Sequence, residues 1–182
     1  MTNVVLPHNQ EKMNRRRWHK LSCLVAASYG IWLLTGFTLP ISLQETPDYS
    51  YKWSSGETRH PLEQFDFSQG NWRAVIVLSI NERSDKPFGY AYGNVLCTSD
   101  VAVLNQLREV RFIAGESDVS TVTSGLYLLK DGKRMFGTGI VLEEVSEGMQ
   151  SRDFGWIAPV DVGALHKVCG QFSRSWLPVV FY

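Results

Sequence analysis

The chain has 182 residues, and its 18 Lys and Arg balance its 18 Asp and Glu, so that its formal net charge is zero. The balance is uneven along the chain, because residues 1–20 carry a net charge of +4 and the remainder carries −4. A net negative main part without basic patches interleaved with aromatic residues argues against a nucleic-acid partner.

The first predicted element is a transmembrane helix over residues 21–39, a stretch without any charged residue. A helix of this length spans the roughly 30 Å hydrocarbon core of a bilayer at about 1.5 Å per residue. Pro40 marks its end, since proline donates no backbone hydrogen bond. The helix predicts contact with membrane lipid, and it fixes the compartment of everything after it.

Basic residues just before this stretch predict its orientation. The topology determinants are Arg15, Arg16, Arg17 and Lys20, and positive charge favours the cytoplasmic side. We therefore expect a cytoplasmic basic tail over residues 1–20 and a periplasmic C-terminal part, in a single-pass signal-anchor protein of a bacterial inner membrane.

Three alternatives to a membrane anchor are weaker. A cleaved signal peptide has a shorter apolar region of about 7–15 residues and a small-x-small cleavage site, which is missing here. A lipoprotein would place its cysteine near the end of the apolar run, whereas Cys23 lies at the start. A buried core helix is disfavoured by the length of the run and by the preceding arginines.

Small residues repeat every four positions inside the predicted helix, at Ser22, Ala26 and Gly30. This spacing lets two membrane helices approach closely, so the face allows a homodimer through the transmembrane helix. Small residues are also common in membrane helices that have no packing partner.

A linker is predicted over residues 40–70, and an extracytoplasmic domain over residues 71–182. The domain contains several runs with the apolar and β-branched composition of strands, and two with helical spacing. Strands are predicted over 72–80, 88–97, 111–114, 121–130, 133–145, 154–158 and 176–182, and helices over 101–110 and 159–171. Asp131-Gly132 between two of these runs is typical of a tight hairpin, and Ser99 is the expected cap of the first helix, with Asp100 beside it.

The order of elements is not a regular alternation of strand and helix, which favours an α+β fold. The predicted fold class is a single N-terminal transmembrane helix followed by a small, mainly antiparallel sheet domain with about two helices.

Motifs for catalysis, metal binding or cofactor binding are missing from the sequence, so no catalytic, metal or cofactor residue is predicted. His60 and His166 lack the companions that a metal site requires. Gly137 and Gly139 lie inside a predicted strand, which indicates a bulge and not a phosphate-binding loop. Glu143, Glu144 and Glu147 are expected to form a solvated edge.

A disulfide bond is predicted between Cys97 and Cys169, the two cysteines outside the apolar helix. An oxidising compartment would favour it, and two buried free thiols are the alternative. The functional prediction is a non-catalytic protein-interaction module in the cell envelope, with an assembly, secretion or immunity-like role and another envelope protein as partner. A membrane-anchored periplasmic hydrolase that uses His60 or His166 is the alternative.

Overall fold

The computed structural model describes residues 8–35, 37–47, 53–79, 94–115, 122, 124–143 and 146–182. These residues fall into two compact units. The first contains the helix α1 (His8–Thr35), and the second runs from Phe37 to Tyr182.

The prediction of a transmembrane helix over residues 21–39 is wrong. Among the described residues, none of the helices is both long enough and apolar enough to cross a bilayer. The helix α1 ends at Thr35, so its apolar part rises only about 22 Å. The predicted span also runs into the second unit, where Leu39 begins a β-strand.

The second unit contains eleven strands and two short helices among its described residues. The strands are β1 (Leu39–Ile41), β2 (Thr58–Arg59), β3 (Trp72–Val77), β4 (Val95–Thr98), β5 (Phe112–Ala114), β6 (Ser124–Lys130), β7 (Lys133–Val141), β8 (Gly148–Ser151), β9 (Gly155–Pro159), β10 (Ser173–Arg174) and β11 (Val179–Phe181). The helices are α2 (Val101–Arg108) and α3 (Ala164–Cys169). The part of the predicted second strand before Asn94 lies outside the described residues.

Nine strands form one antiparallel sheet in the order β10-β4-β3-β6-β7-β8-β9-β5-β2. The predicted hairpin joins β6 to β7, and Asp131 and Gly132 adopt φ angles of 51° and 79°. Both residues tolerate positive φ, as this type of turn requires. The hairpin prediction is therefore confirmed.

The main hydrophobic core lies on one face of this sheet, where both short helices bury their apolar sides. Val103, Leu104 and Leu107 of α2 are buried in it. Asp100, and not Ser99, caps α2, because its carboxylate accepts a hydrogen bond from the Ala102 amide at 2.8 Å. The second helix is six residues long and so covers less than the predicted 159–171.

The segment predicted as a linker contributes to this core. Leu62, Phe65 and Phe67 are buried in it, and Phe65 and Phe67 contact the Trp72 ring. Spacing alone did not reveal them, because buried loop residues follow neither the helical nor the strand period. The folded unit consequently starts at Phe37 and not at residue 71.

The opposite face of the sheet is covered by a separate two-stranded ribbon. The strands β1 and β11 pair in parallel, with Leu39 opposite Val179 and Ile41 opposite Phe181. Val180 of this ribbon is buried against Val75, Val95 and Leu129 of the sheet. The ribbon is therefore a second, smaller layer that packs on the back of the sheet.

Candidate interaction surface

The ribbon has one face on the sheet and one face turned away from it. Val180 points into the core, and successive side chains of a strand point to opposite sides. Val179 and Phe181 therefore point outward, together with their partners Leu39 and Ile41. Leu43 continues the outward row, since its amide donates a hydrogen bond to the Tyr182 carbonyl oxygen at 3.0 Å. We call these five residues the ribbon face.

The ribbon face is apolar and uncharged, and three of its five residues are exposed while Ile41 and Val179 are half-buried. Phe181 is 55% exposed and Leu43 is 65% exposed, and Leu39 is about half exposed. Phe37 and Leu177, which precede the two strands, are also about half exposed. Neither contributing segment, residues 37–44 or residues 175–182, contains a charged residue. Contiguous apolar surface of this kind marks an interaction site more often than ordinary solvent-facing surface.

The start of the ribbon is fixed to the sheet by a buried side chain. The Asn94 oxygen accepts a hydrogen bond from the Thr38 amide at 2.7 Å, and its nitrogen donates to the Thr38 carbonyl oxygen at 2.8 Å. The Thr38 hydroxyl in turn donates to the Leu177 carbonyl oxygen at 3.0 Å. Asn94 thus imitates a neighbouring strand and satisfies the backbone where β1 begins.

The other end of the ribbon is held by Arg134, which is only 4% exposed. Its guanidinium lies 4.7 Å from the centre of the Tyr127 ring and 5.0 Å from that of the Tyr182 ring. It donates hydrogen bonds to the Ser42 hydroxyl at 2.9 Å and the Thr46 hydroxyl at 3.3 Å. This cation is stabilised by two aromatic faces and two hydroxyl groups.

A bulge in β7 turns Arg134 to this side of the sheet. Leu128 pairs with Phe136 while Leu129 pairs with Arg134, so Met135 is an extra residue in β7. Without it, strict alternation would place Arg134 on the same side as Phe136, in the main core. The bulge therefore explains why a basic residue reaches the back of the sheet.

Tyr127 is part of the same packing. Burial raises the pKa of its phenol, and the neighbouring Tyr182 raises it further, while the Arg134 charge lowers it. The two tyrosine rings lie 4.4 Å apart, centre to centre. The phenol is therefore neutral at physiological pH, and the ribbon is joined to the sheet by packed aromatic groups.

The glycines of β7 allow this close packing, and the predicted bulge at Gly137 and Gly139 is wrong. A Cβ at Gly137 would lie 2.8 Å from the Thr46 hydroxyl oxygen, and one at Gly139 would lie 2.7 Å from the Val122 side chain. Both glycines keep their regular register with β6. They leave room for side chains of the chain itself, and the bulge lies at Met135 instead.

The predicted disulfide bond is absent, since Cys97 and Cys169 are both free thiols. Cys97 packs beside the ribbon on the back of the sheet, whereas Cys169 is buried in the main core on the other face. The sheet itself lies between the two sulfur atoms. Strand alternation at Cys97 was the deciding fact, because Leu96 faces the main core and its neighbour must face away.

Among the described residues, His166 contacts a backbone carbonyl oxygen and a carboxylate at the start of α3. Its Nδ1 lies 3.1 Å from the Leu142 carbonyl oxygen, and its amide donates to the Glu147 carboxylate at 2.7 Å. Glu147 also accepts a hydrogen bond from the Gly163 amide, so it caps the start of α3. Glu147 is buried, and the prediction that it belongs to a solvated edge is wrong.

The nearby Cys169 lacks the properties of a nucleophile. Burial raises the pKa of its thiol strongly, and the negative charge of Glu147 raises it further. The nucleophilic form of cysteine is the thiolate, so this residue is a small buried hydrophobic group. His60 is half-buried, and its Nδ1 has no hydrogen-bond partner among the described residues.

Two shallow cavities lie near the residues that surround Arg134. One of about 380 Å³ lies beside Leu43, Phe181 and Tyr182, and one of about 390 Å³ lies beside Tyr127 and Gly137. Neither is lined by His60 or His166. Within the described ranges, no three His, Cys, Asp or Glu side chains are placed to hold a metal ion.

The remaining predicted residues all lie on α1. Arg15, Arg16, Arg17 and Lys20 are helical, and Arg17 and Lys20 are exposed. Ser22 and Ala26 are exposed, and a Cβ at Gly30 would meet open space. Their predicted roles in orientation and in helix pairing stay predictions.

Asn94 and Arg134, which hold the ribbon in place, were missed by the sequence analysis. Asn94 directly follows Gly93 and resembles an ordinary turn residue, and Arg134 resembles a solvated residue after a hairpin. The sequence did contain an indication of the ribbon. If the first helix is taken to end at Thr35, residues 37–44 have the uncharged composition of a strand. No family model, curated protein or solved structure matches this chain.

Proposed function

We propose that the folded unit, residues 37–182, is a non-catalytic protein-interaction module that binds its partner through the ribbon face. The observation that carries this proposal is an uncharged, apolar row in which Leu39, Leu43 and Phe181 are exposed and Ile41 and Val179 are half-buried. Desolvation of such a surface is favourable by roughly 25 cal/mol per Å².

The anchoring of the ribbon supports the same function. Asn94 at one end and Arg134 at the other hold the two strands in one conformation. A surface fixed before binding loses little conformational freedom on association, which raises affinity. The hydrolase alternative has no comparable support, because His166 and Glu147 are engaged in capping α3 and in backbone contacts.

The predicted bacterial inner-membrane localisation, with a periplasmic domain and an envelope protein as partner, stays a prediction. Residues 1–20 carry a net charge of +4 and the remainder carries −4, but this asymmetry indicates an orientation only for a chain that spans the membrane.

Photo-crosslinking in cells tests the module. A photoreactive phenylalanine analogue at Phe181 should give one discrete adduct, since the partner covers this side chain. The matched control position is Val162, an apolar residue that is 83% exposed and lies in the turn before α3. A Leu39→Asp change should abolish the adduct at 181, because a buried carboxylate would be left without a partner. No adduct at 181, or equal adducts at both positions, would contradict the proposal.

A further inference from the structure

We infer that the partner seated on the ribbon face is a second copy of this chain, in a twofold symmetric dimer. This inference rests on the proposed function, since it identifies the occupant of the same surface.

The chemistry of the face favours a second copy over a different protein. Homodimer interfaces are more apolar than interfaces between independent proteins, and charged groups are used mainly to steer and select different partners. Residues 37–44 and 175–182 contain no charge that would repel an identical surface or select an oppositely charged one.

The arrangement of the two strands also suits a twofold axis. An isologous interface brings the same patch of both copies together, so that if one residue contacts a second residue of the other copy, that second residue makes the same contact in return. A twofold axis that runs parallel to the strands, in the plane between the two faces and midway between β1 and β11, would place Leu39 and Ile41 of one copy on Val179 and Phe181 of the other. These rows are both apolar and lie in register along the ribbon, so every outward side chain meets an apolar one.

The exposed area is sufficient for such a dimer. The five side chains with large exposure are about half accessible: Phe37, Leu39, Leu43, Leu177 and Phe181. At roughly 200 Å² for a fully exposed large apolar side chain, they present on the order of 500 Å². Two copies would bury on the order of 1,000 Å², the lower limit for a specific interface.

Sedimentation velocity of the purified full chain over a concentration series tests this inference. The wild-type chain should be dimeric at micromolar concentrations. The double variant Leu39→Ser with Phe181→Ser should weaken the dimer by at least about 100-fold, since it removes two central apolar anchors. The control Val162→Ser, which changes an exposed apolar residue off the face, should leave the dimer unchanged.

A second measurement covers the case in which the double variant fails to fold. A photoreactive analogue at Phe181 of the otherwise wild-type chain should crosslink to the peptide containing residues 37–44 of the second copy. A chain that is monomeric at every concentration would overturn the inference. So would a dimer that survives the double variant with its fold intact, because that dimer would use another surface such as α1.

The two proposals fail in different ways. A monomeric purified chain, with a cellular adduct at position 181 to a different protein, would reject the symmetric dimer and leave the module intact. A monomeric chain with no adduct in cells would reject both. A dimer with a crosslink between position 181 and residues 37–44 would support both.

Discussion

The attachment of the ribbon to the sheet depends on Asn94, and its replacement by alanine is the most direct test of this architecture. Asn94 is only 5% exposed. Its amide group both accepts a hydrogen bond from the Thr38 backbone and donates one to it, at 2.7 and 2.8 Å. Alanine would leave the backbone donor and acceptor of Thr38, the residue before β1, without these partners.

The expected loss follows from the number of groups left unsatisfied. Each buried polar group without a partner costs about 1–3 kcal/mol, so the two groups left by Asn94→Ala should lower the free energy of unfolding by about 2–6 kcal/mol. This is a large share of the roughly 5–15 kcal/mol of a typical domain. At about 2–4 °C per kcal/mol for a chain of this size, a loss of about 3 kcal/mol corresponds to a Tm lower by roughly 6–12 °C.

The assay is urea unfolding followed by tryptophan fluorescence and circular dichroism, together with amide hydrogen exchange at Thr38. Asn94→Asp provides a variant of the same shape, in which a carboxylate oxygen faces the Thr38 carbonyl oxygen, so its loss should equal or exceed that of alanine. Gln69→Ala, a change to an exposed side chain, serves as control and should stay within about 0.5 kcal/mol. A loss below about 1 kcal/mol for Asn94→Ala, with unchanged exchange at Thr38, would refute the reasoning.

Three further predictions concern other described residues. In the native protein, Cys97 should react with a thiol reagent at pH 8 and Cys169 should not. Burial raises the pKa of the Cys169 thiol and also keeps the reagent from reaching it. Rapid labelling of Cys169 would contradict the placement of α3. The folded state raises the pKa of Tyr127, so the protein should lose stability as pH rises above about 10, the unfolded value. In urea unfolding at alkaline pH, Tyr127→Phe should reduce that loss. The same dependence of unfolding free energy on pH in both proteins would count against the burial of this phenol. Gly148→Ala should lower the free energy of unfolding by at least about 1–3 kcal/mol in the same assay. The new Cβ would overlap the Trp156 ring and lie 2.6 Å from a carbonyl oxygen of β9. An unchanged free energy of unfolding would show that β8 and β9 are further apart.

Local signals in the sequence were sufficient for much of the sheet. The strand over residues 72–77 and the Asp131-Gly132 hairpin were predictable, because the first is a continuous β-branched run and the second uses residues that adopt positive φ. The helix α2 was predictable from its spacing of apolar residues, although its cap is Asp100 and not Ser99.

The errors arose where tertiary structure overrides a local pattern. The apolar run starting at Leu21 continues across a change of structure, from the helix α1 to the strand β1, and hydropathy does not mark that boundary. The partner of β1 is β11, almost the whole chain away, so no local pattern predicts the pair. The disulfide prediction failed for a similar reason, because the face of β4 that carries Cys97 is known only once the sheet is assembled.

The candidate surface was partly visible in the sequence. The composition of residues 176–182 predicted the last strand, and its proline correctly indicated a start or an edge. The outward side of this strand is apolar and exposed, and it adjoins residues 39–43. These facts could be known only from the register of the ribbon. The bulge at Met135, which brings Arg134 to the ribbon, leaves no recognisable mark in the residue types.

The pairing of β1 with β11 has a consequence during synthesis of the chain. The strand β1 leaves the ribosome early, but its partner is made only after about 140 further residues, at about 5–20 residues per second. For several seconds the apolar back of the sheet, including Val75, Val95 and Leu129, has no layer above it. During that time the nascent chain can bind chaperones or aggregate through this uncovered apolar face. The face is covered once the last residues of β11 have been made and have paired with β1. Contacts this distant in sequence also slow folding, so truncation within β11 should affect yield in cells more than its three residues suggest.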